Sequence, residues 1–240
     1  MRMCWSATAS VAMVGLGAAA TLITARRGES RGIWLTLGYF TIMEALQVAG
    51  YGVLDQCGSP ANRAVTLLSY LHIVFQPFFI NAFCMAILPH EVPARTRRVV
   101  WGLCAAASAV MLAQLIPVEA LGRCRPGEVL CGPALCTVSG SWHIGWQVPL
   151  NGMFSSLPHV LGLSVQFPSY ILAVFVLPLF YGAWRFVLFH ALCGPILTMA
   201  LTRDPNEMPA VGCLFSIGLL LIGLSPALRR PIAGPMRLAP

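Results

Sequence analysis

Apolar residues occur along this chain in seven long stretches separated by short, more polar connections. They run from Trp5 to Ala25, Ile33 to Leu54, Ala64 to Leu88, Val99 to Pro117, Ser169 to Trp184, Phe186 to Thr202 and Pro209 to Leu228. A helix needs about 20 mostly apolar residues to cross a bilayer, because every backbone amide must be satisfied inside the hydrocarbon. The pattern predicts an all-α membrane bundle of seven transmembrane helices in one domain, residues 1–240. The fifth and sixth stretches are short, and we expect them to form a tight helical hairpin.

The long connection between the fourth and fifth stretches, residues 118–167, contains a further apolar segment from Gln147 to Phe167. Counting it as an eighth crossing would reverse every helix after it and remove the arginine asymmetry described below. Pro149 and Pro158 also interrupt it. We therefore expect residues 147–167 to lie on the surface or to form a re-entrant segment.

Composition and charge agree with this class and orient it. The chain is 58% hydrophobic and 10% charged, and its basic residues are 15 arginines, with no lysine. Because basic residues concentrate in cytoplasmic loops, the N-terminus is expected outside and the C-terminus in the cytoplasm. That orientation places ten arginines inside and five outside. Arginines beside anionic headgroups account for the net charge of +7, so we expect no nucleic-acid partner.

The first 20 residues also resemble a secretory signal, with one arginine, an apolar run and small residues at Ala18 to Ala20. Cleavage there would leave Arg26, Arg27 and Arg31 outside, against the charge asymmetry. A retained first helix and a location in an inner membrane are therefore favoured.

Cysteine positions test the orientation independently. Of nine cysteines, Cys57, Cys124, Cys131 and Cys136 fall in the two loops assigned to the outside, where an oxidising compartment permits disulfides. We expect two disulfides, with all three pairings open. The rival interpretation is a zinc knot of Cys124, Cys131 and Cys136, but its spacing lacks a Cys-x-x-Cys pair.

Ionisable and polar residues inside the apolar stretches are the candidate chemistry. Glu44 lies roughly 15 Å from either end of its helix, and the helical rise places His72 and His190 in the same layer. Charged side chains at such depth usually face a bundle interior and a partner. The sharper hypothesis is a metal site of Glu44, His72 and His190, closed from above by His143 and Glu207. These ligands suit zinc or iron, with copper less favoured.

The corresponding function is a metal-dependent membrane enzyme acting on a lipid-soluble substrate in the bilayer. Glu44 and His72 would be catalytic, and the residues expected to contact substrate are Gln47, Gln76, Asn81, Trp142 and Asn151. The alternatives are a proton- or cation-coupled transporter using Glu44, and a structural or assembly subunit whose buried polar pairs only hold helices together. Without lysine there is no retinal Schiff base, and neither a His-x-x-x-His motif nor a nucleophile elbow occurs.

Four sequence blocks resemble a family of bacterial multi-pass membrane proteins of unknown function. They begin at Leu71 (LHIVFQPFFIN), Gly140 (GSWHIGWQVPLN), Leu177 (LPLFYGAWRF) and Asn206 (NEMPA). A looser similarity is to seven-helix zinc hydrolases of the alkaline ceramidase and adiponectin receptor type. Ser69 and His72 approximate the Ser and His that those proteins place on one helix, but their late His-x-x-x-His is absent. The first resemblance implies no activity, and the second implies zinc hydrolysis of a lipid amide.

Overall fold

A computed structural model describes residues 6–157, 159–160, 163–213 and 215–233, and the chain is mostly helical, at 67%. The predicted start of the first apolar stretch, Trp5, lies outside these residues. Four long helices come first: α1 Ala7–Arg26, α2 Arg31–Gly52, α3 Pro60–Ile87 and α4 Ala94–Ala113. Local signals set their starts, since the Ser6 hydroxyl accepts from the Ala9 amide and Pro60 begins α3, where no amide donor is needed.

The second half of the bundle is more broken. Helix α5 covers Pro168–Phe180 and α6 covers Trp184–Leu201. The last stretch divides into α7 Met208–Gly212, α8 Phe215–Leu224 and α9 Pro226–Ala233, and the axis bends by 109° between α8 and α9. Each predicted apolar stretch therefore contains helix, but the later ones are interrupted.

In the part of the chain that the structure describes, four helices are long and apolar enough to cross a membrane, namely α1, α3, α4 and α6, and the bent α7–α9 segment makes a fifth if it is one span. Helix α2 has the length, but it carries Glu44 and Gln47, which lower its mean hydropathy. Helix α5 has 13 residues, about two thirds of the length that a spanning helix needs. The structure thus supports a helical membrane protein, while seven full crossings and their direction are not established by it.

Glycines permit close approach of the first three helices. A Cβ on Gly17 would overlap the Thr41 hydroxyl, and a Cβ on Gly32 would lie 2.5 Å from the Ala82 carbonyl oxygen. Small residues at such crossings let helix backbones pack closely, which is the usual source of helix association in lipid. As a result α2 is held between α1 and α3, and its buried face points into the bundle.

Residues 114–167, between α4 and α5, form a folded layer over one end of the bundle, which we call the cap. Its antiparallel hairpin pairs β1 Cys136–Ser139 with β2 Ile144–Gln147, and a second hairpin pairs β3 His159–Val160 with β4 Leu163–Ser164. Within the described part of 147–167 the chain forms bridges, turns and this short hairpin. Disulfides join Cys57 to Cys136 and Cys124 to Cys131, so the prediction of two disulfides among these four cysteines is confirmed.

Arginines collect at the opposite end of the bundle. Arg229 on α9 forms a bidentate ion pair with Glu29, with distances of 2.7 and 2.9 Å, and Arg185 donates to the Pro231 carbonyl. The hydrogen-bonded Arg229 guanidinium lowers the pKa of Glu29 below its usual value. These contacts fix α9 across the end of the bundle, beside the connections that carry Arg26, Arg27 and Arg31.

Candidate functional site

An apolar cavity of about 350 Å³ lies inside the bundle beneath the cap. Helices α3, α5, α6 and α7 form its walls, Phe40 and Met111 reach it from α2 and α4, and the cap contributes Val129, Leu130 and residues 165–167. Two lining residues, Ile171 on α5 and Pro195 on α6, are exposed on the flank of the bundle. Because these exposed residues lie on the two helices of one hairpin, we infer that the cavity opens to the protein surface sideways, between α5 and α6.

Local helix irregularity shapes this opening. Both flanking helices contain a π-helical turn, Leu172–Val176 in α5 and Leu192–Ile196 in α6. Each turn lies at a proline, because Pro178 has no amide to donate to the Val174 carbonyl and Pro195 has none for Ala191. Such π-turns occur frequently at functional sites. Here they border the cavity, on two helices joined by the turn at residues 181–183.

A few polar groups interrupt the apolar lining. The Tyr170 hydroxyl donates to Gln76 Oε1 at 2.6 Å, which leaves the Gln76 amide nitrogen as a donor. His190 is 5% exposed and packs against the ring of Phe175, with 4.5 Å between ring centroids. The structure thus places two predicted site residues, Gln76 and His190, on one cavity.

Glu44 lies elsewhere, at the contact of α1, α2 and α8. It is 3% exposed, its Oε1 accepts from the Ser216 hydroxyl at 3.2 Å, and its Oε2 is buried without a hydrogen bond from the described residues. Its surroundings include Met13, Phe40 and Leu220. The observed partner of Glu44 is therefore a serine, and neither Gln76 nor His72 bonds it.

His72 takes part in a reciprocal contact between α2 and α3. Its Nε2 donates to the Tyr39 carbonyl at 2.7 Å, and the Tyr39 hydroxyl donates back to the His72 carbonyl at 2.5 Å. The Tyr39 ring is stacked between His72 and Phe79, with centroid separations of 3.8 and 3.6 Å. The imidazole proton is therefore committed to a backbone oxygen of the neighbouring helix.

The predicted three-residue metal site is not assembled. Ligand atoms of Glu44, His72 and His190 do not lie within 4.8 Å of one another, because each group faces a different helix contact. Among the described residues, three residues of metal-ligating type lie close together at Cys124, Glu128 and Cys131 in the cap. Both of those sulfurs are joined in a disulfide, and a metal needs the thiolate, so this group offers a site only after reduction.

The remaining predicted substrate contacts on the helices are occupied by structural bonds. Asn81 is fully buried, donates to the carbonyls of Pro77 and Ala173, and accepts from the Tyr181 hydroxyl at 2.7 Å. These bonds satisfy the carbonyls beside the proline and π-turn irregularities. Gln47 donates to the Ala210 carbonyl at 3.4 Å.

His143 and Glu207 do meet, but through the backbone. The Glu207 carboxylate, fully buried, accepts hydrogen bonds from the amides of Ser141, Trp142 and His143 and from the hydroxyls of Ser141 and Thr202. We call this arrangement the clasp, since it joins the β1–β2 turn to the α6–α7 connection. A Cβ on Gly140 would lie 2.6 Å from the Glu207 carboxyl carbon, so glycine is required there.

His143 Nδ1 accepts from the Ile144 amide at 2.7 Å and lies 3.1 Å from the Tyr51 hydroxyl. Trp142, predicted to contact substrate, belongs to the clasp because its backbone amide donates to the Glu207 carboxylate. Asn151 instead ends α4, donating to the carbonyls of Ala113 and Ile116 at 2.9 Å.

Burial and hydrogen bonding shift the pKa of Glu207 in opposite directions. Burial raises the pKa of the Glu207 carboxyl, but the bonds from Thr202, His143, Trp142 and Ser141 outweigh it and hold the pKa below the usual value. Burial lowers the pKa of His143 to about 4, although the Glu207 charge opposes this. The clasp at neutral pH is thus a carboxylate beside an uncharged imidazole.

Acidification is expected to loosen the clasp between pH 6.5 and 4. The pKa of His143 is near the ordinary value of 6.5 in the unfolded chain and about 4 in the folded protein. The free energy of unfolding therefore has its full value above pH 6.5 and falls as the pH decreases toward 4, because the unfolded chain binds the proton first. The full difference is roughly 3 kcal/mol. Amide hydrogen exchange at residues 140–144 measures it, and His143→Phe should flatten the profile over this range. An unchanged profile in that variant would exclude His143 as the group responsible.

Sequence reasoning missed Gln166 and Tyr170, which both line the cavity. A glutamine between Val165 and Phe167, shortly before the proline that begins α5, was the available signal. Polar side chains are ordinary in a segment expected at a surface, so Gln166 was not predicted to be a site residue.

Comparison with known proteins adds a family and no activity. A model of a family of unknown function, DUF5765, matches residues 8–233. None of the curated proteins matches the chain, and none of the solved structures does.

Proposed function

The chain belongs to this family of unknown function, and we propose that it is a polytopic membrane protein that binds a lipid-soluble small molecule in the cavity between α3, α5, α6 and α7. The observation that carries the proposal is the lateral opening of an apolar cavity between α5 and α6. Ligand sites are typically concave, mostly apolar, and furnished with a few placed polar groups. Gln76, Tyr170 and His190 are such groups here.

We further propose that all seven apolar stretches insert in a bacterial inner membrane, with the cap outside and α9 at the cytoplasmic face. Two features support this orientation. Both disulfides lie at the cap end, one within the cap and one joining it to the α2–α3 connection, and disulfides persist in oxidising compartments. The opposite end carries the arginine-rich connections and α9, as expected for a cytoplasmic face. Helix α5 would then reach only part of the way across, leaving space for the cavity opening.

In this arrangement a ligand would enter from the lipid. The exposed residues beside the opening are apolar, including Ile171 at 41%, Leu172 at 58% and Ile196 at 49%. Apolar side chains on that flank are stable against acyl chains and present no barrier to an apolar solute. The lipid-soluble substrate expected from the sequence is therefore retained, but the support for it is the cavity rather than a shared metal site.

Filling the cavity tests the proposal. Thr198 lines the cavity and is 4% exposed, while the preceding residue, Leu197, is 40% exposed on the outside of the same helix. Thr198→Trp is expected to reduce photolabelling by a diazirine-bearing long-chain alcohol at least tenfold in lipid nanodiscs, because the indole occupies the space. Leu197→Trp should label like the wild type.

The position of the label provides a second criterion. Peptide mapping should find the label on α5 and α6 near residues 171–175 and 190–198. Equal labelling of wild type and Thr198→Trp, with both folded, would refute the proposal. Such a result would favour the transporter interpretation, in which Glu44 carries a proton or a cation, or the structural interpretation, in which the polar groups only hold helices together.

A further inference from the structure

Gln166 is a buried side chain whose hydrogen-bonding capacity is unused. It is 2% exposed, and neither its Nε2 nor its Oε1 makes a hydrogen bond with the described residues. Only its backbone carbonyl is engaged, accepting from Gln114 Nε2 at 3.2 Å. Each unmade bond of a buried polar group costs about 1–3 kcal/mol. Buried polar atoms are paired in the great majority of cases, so this amide requires an explanation.

Gln166 forms part of the cavity wall, and its covered amide atoms would contact a ligand after a rotation of the side chain toward the cavity. Gln166 belongs to the cavity lining, between Val165 and Phe167 at the cap end. The exposed lining residue Ile171 lies at the start of α5, and its amide donates to the carbonyl of Phe167, so this side of the cavity adjoins the cap. Gln166 is therefore only about one helical turn from the side on which a molecule would enter from lipid, within reach of its leading end.

The chemistry of the lining restricts that leading end. The described residues that line the cavity include no carboxylate and no arginine, and the chain has no lysine. An ionised head group would be buried without a counter-charge, which is strongly unfavourable. An amide, in contrast, offers one acceptor oxygen and two donor hydrogens. A hydroxyl, which also donates and accepts, matches it.

We propose that the ligand of the cavity is an uncharged lipid alcohol, whose hydroxyl donates to Gln166 Oε1 and accepts from Gln166 Nε2 while its hydrocarbon body lies between α5 and α6. This assignment rests on the proposed function, since it names the chemical class for the same cavity. The nearby Gln76–Tyr170 pair holds the wall in place and does not compete for Gln166, because Gln76 Oε1 already accepts from Tyr170.

Head-group competition tests the assignment. Three photoreactive probes of the same chain length carry an alcohol, its methyl ether or a carboxylic acid, and each labels the purified full chain in nanodiscs at neutral pH. The wild type should prefer the alcohol over the ether and the acid by about five- to tenfold, the value of a net hydrogen bond. Gln166→Leu should abolish the preference for alcohol over ether. Gln56→Leu, at an exposed glutamine, should leave it unchanged.

The outcomes separate this inference from the proposed function. If labelling depends on an unfilled cavity, so that Thr198→Trp abolishes it, but alcohol and ether label alike, the binding site stands and the alcohol assignment fails. Preferential labelling by the acid also overturns the assignment. Should Gln166→Leu misfold, Gln166→Met provides the second measurement, since it keeps the length of the side chain, removes both hydrogen-bonding groups and should also abolish the preference for alcohol over ether.

Discussion

Glu207→Leu is expected to release the β1–β2 turn from the bundle and to destabilise the cap by about 4 kcal/mol. The carboxylate is the acceptor for three backbone amides and two hydroxyls. Leucine fills a similar volume but accepts nothing, so these donors stay buried without partners. Backbone amides cannot turn away to find water, since β1 is tied to Cys57 by a disulfide and β2 bonds Asn206 through Trp146.

Hydrogen exchange and thermal unfolding in detergent measure this loss. Amides 141–143 should lose protection, and Glu207→Gln should fall between wild type and leucine because it keeps one oxygen acceptor but adds a donor facing other donors. Glu91→Leu, at an exposed glutamate in the α3–α4 connection, is the matched control and should be nearly neutral. Unchanged protection at 141–143 in Glu207→Leu would mean that the clasp does not hold the hairpin.

The clasp also shows how far sequence reasoning reaches. His143 and Glu207 were expected to lie together above the bundle, and the structure places the carboxylate on the His143 amide. Their pairing suggested metal ligation because a sequence lists side chains but does not show which backbone amides will be available as donors. Gly140 was the available signal, since a carboxylate can approach a turn this closely only where no Cβ intervenes.

Helix positions followed from apolar stretches, but rotations between helices did not. Glu44 and Gln47 lie on the buried face of α2, and His72 and Gln76 on that of α3, as expected for polar side chains inside apolar stretches. It could not tell which neighbour each face meets. Glu44 meets Ser216, 172 residues away, and His72 meets a backbone carbonyl on α2. Depth in the bilayer is a one-dimensional quantity, so groups in one layer need not converge.

The cavity could not be predicted from the sequence. It lies beside two helices joined by a short turn, each interrupted by a π-turn near a proline. The prolines Pro178 and Pro195 indicated helix breaks, but the volume enclosed between the broken helices depends on packing of the whole bundle. A short fifth stretch is the trace that this architecture leaves in the sequence, because α5 ends after 13 residues.

Removing the Cys57–Cys136 disulfide is expected to destabilise the cap about twice as much as removing Cys124–Cys131. The first bridge closes a separation of 79 residues and the second closes one of 7. Loop-closure entropy assigns about 4 kcal/mol to the longer loop and about 2 kcal/mol to the shorter one at 25 °C. The longer bridge also joins β1 to the α2–α3 connection, whereas the shorter one acts within the cap.

Paired serine variants provide the comparison, Cys57→Ser with Cys136→Ser against Cys124→Ser with Cys131→Ser, measured by denaturant unfolding of the cap in detergent. Reductant should shift the wild type toward the behaviour of a variant lacking both bridges. Equal or reversed losses would show that noncovalent contacts dominate the stability of the junction between the cap and the α2–α3 connection.

Asn62 would then be the main noncovalent contact at this junction, because its side chain bonds Val53 and both backbone groups of Thr137. Adding Asn62→Ala to each pair of serine variants would separate the two contributions. If the disulfide holds the junction, Asn62→Ala should lower the free energy of unfolding less when Cys57–Cys136 is intact than when it is removed.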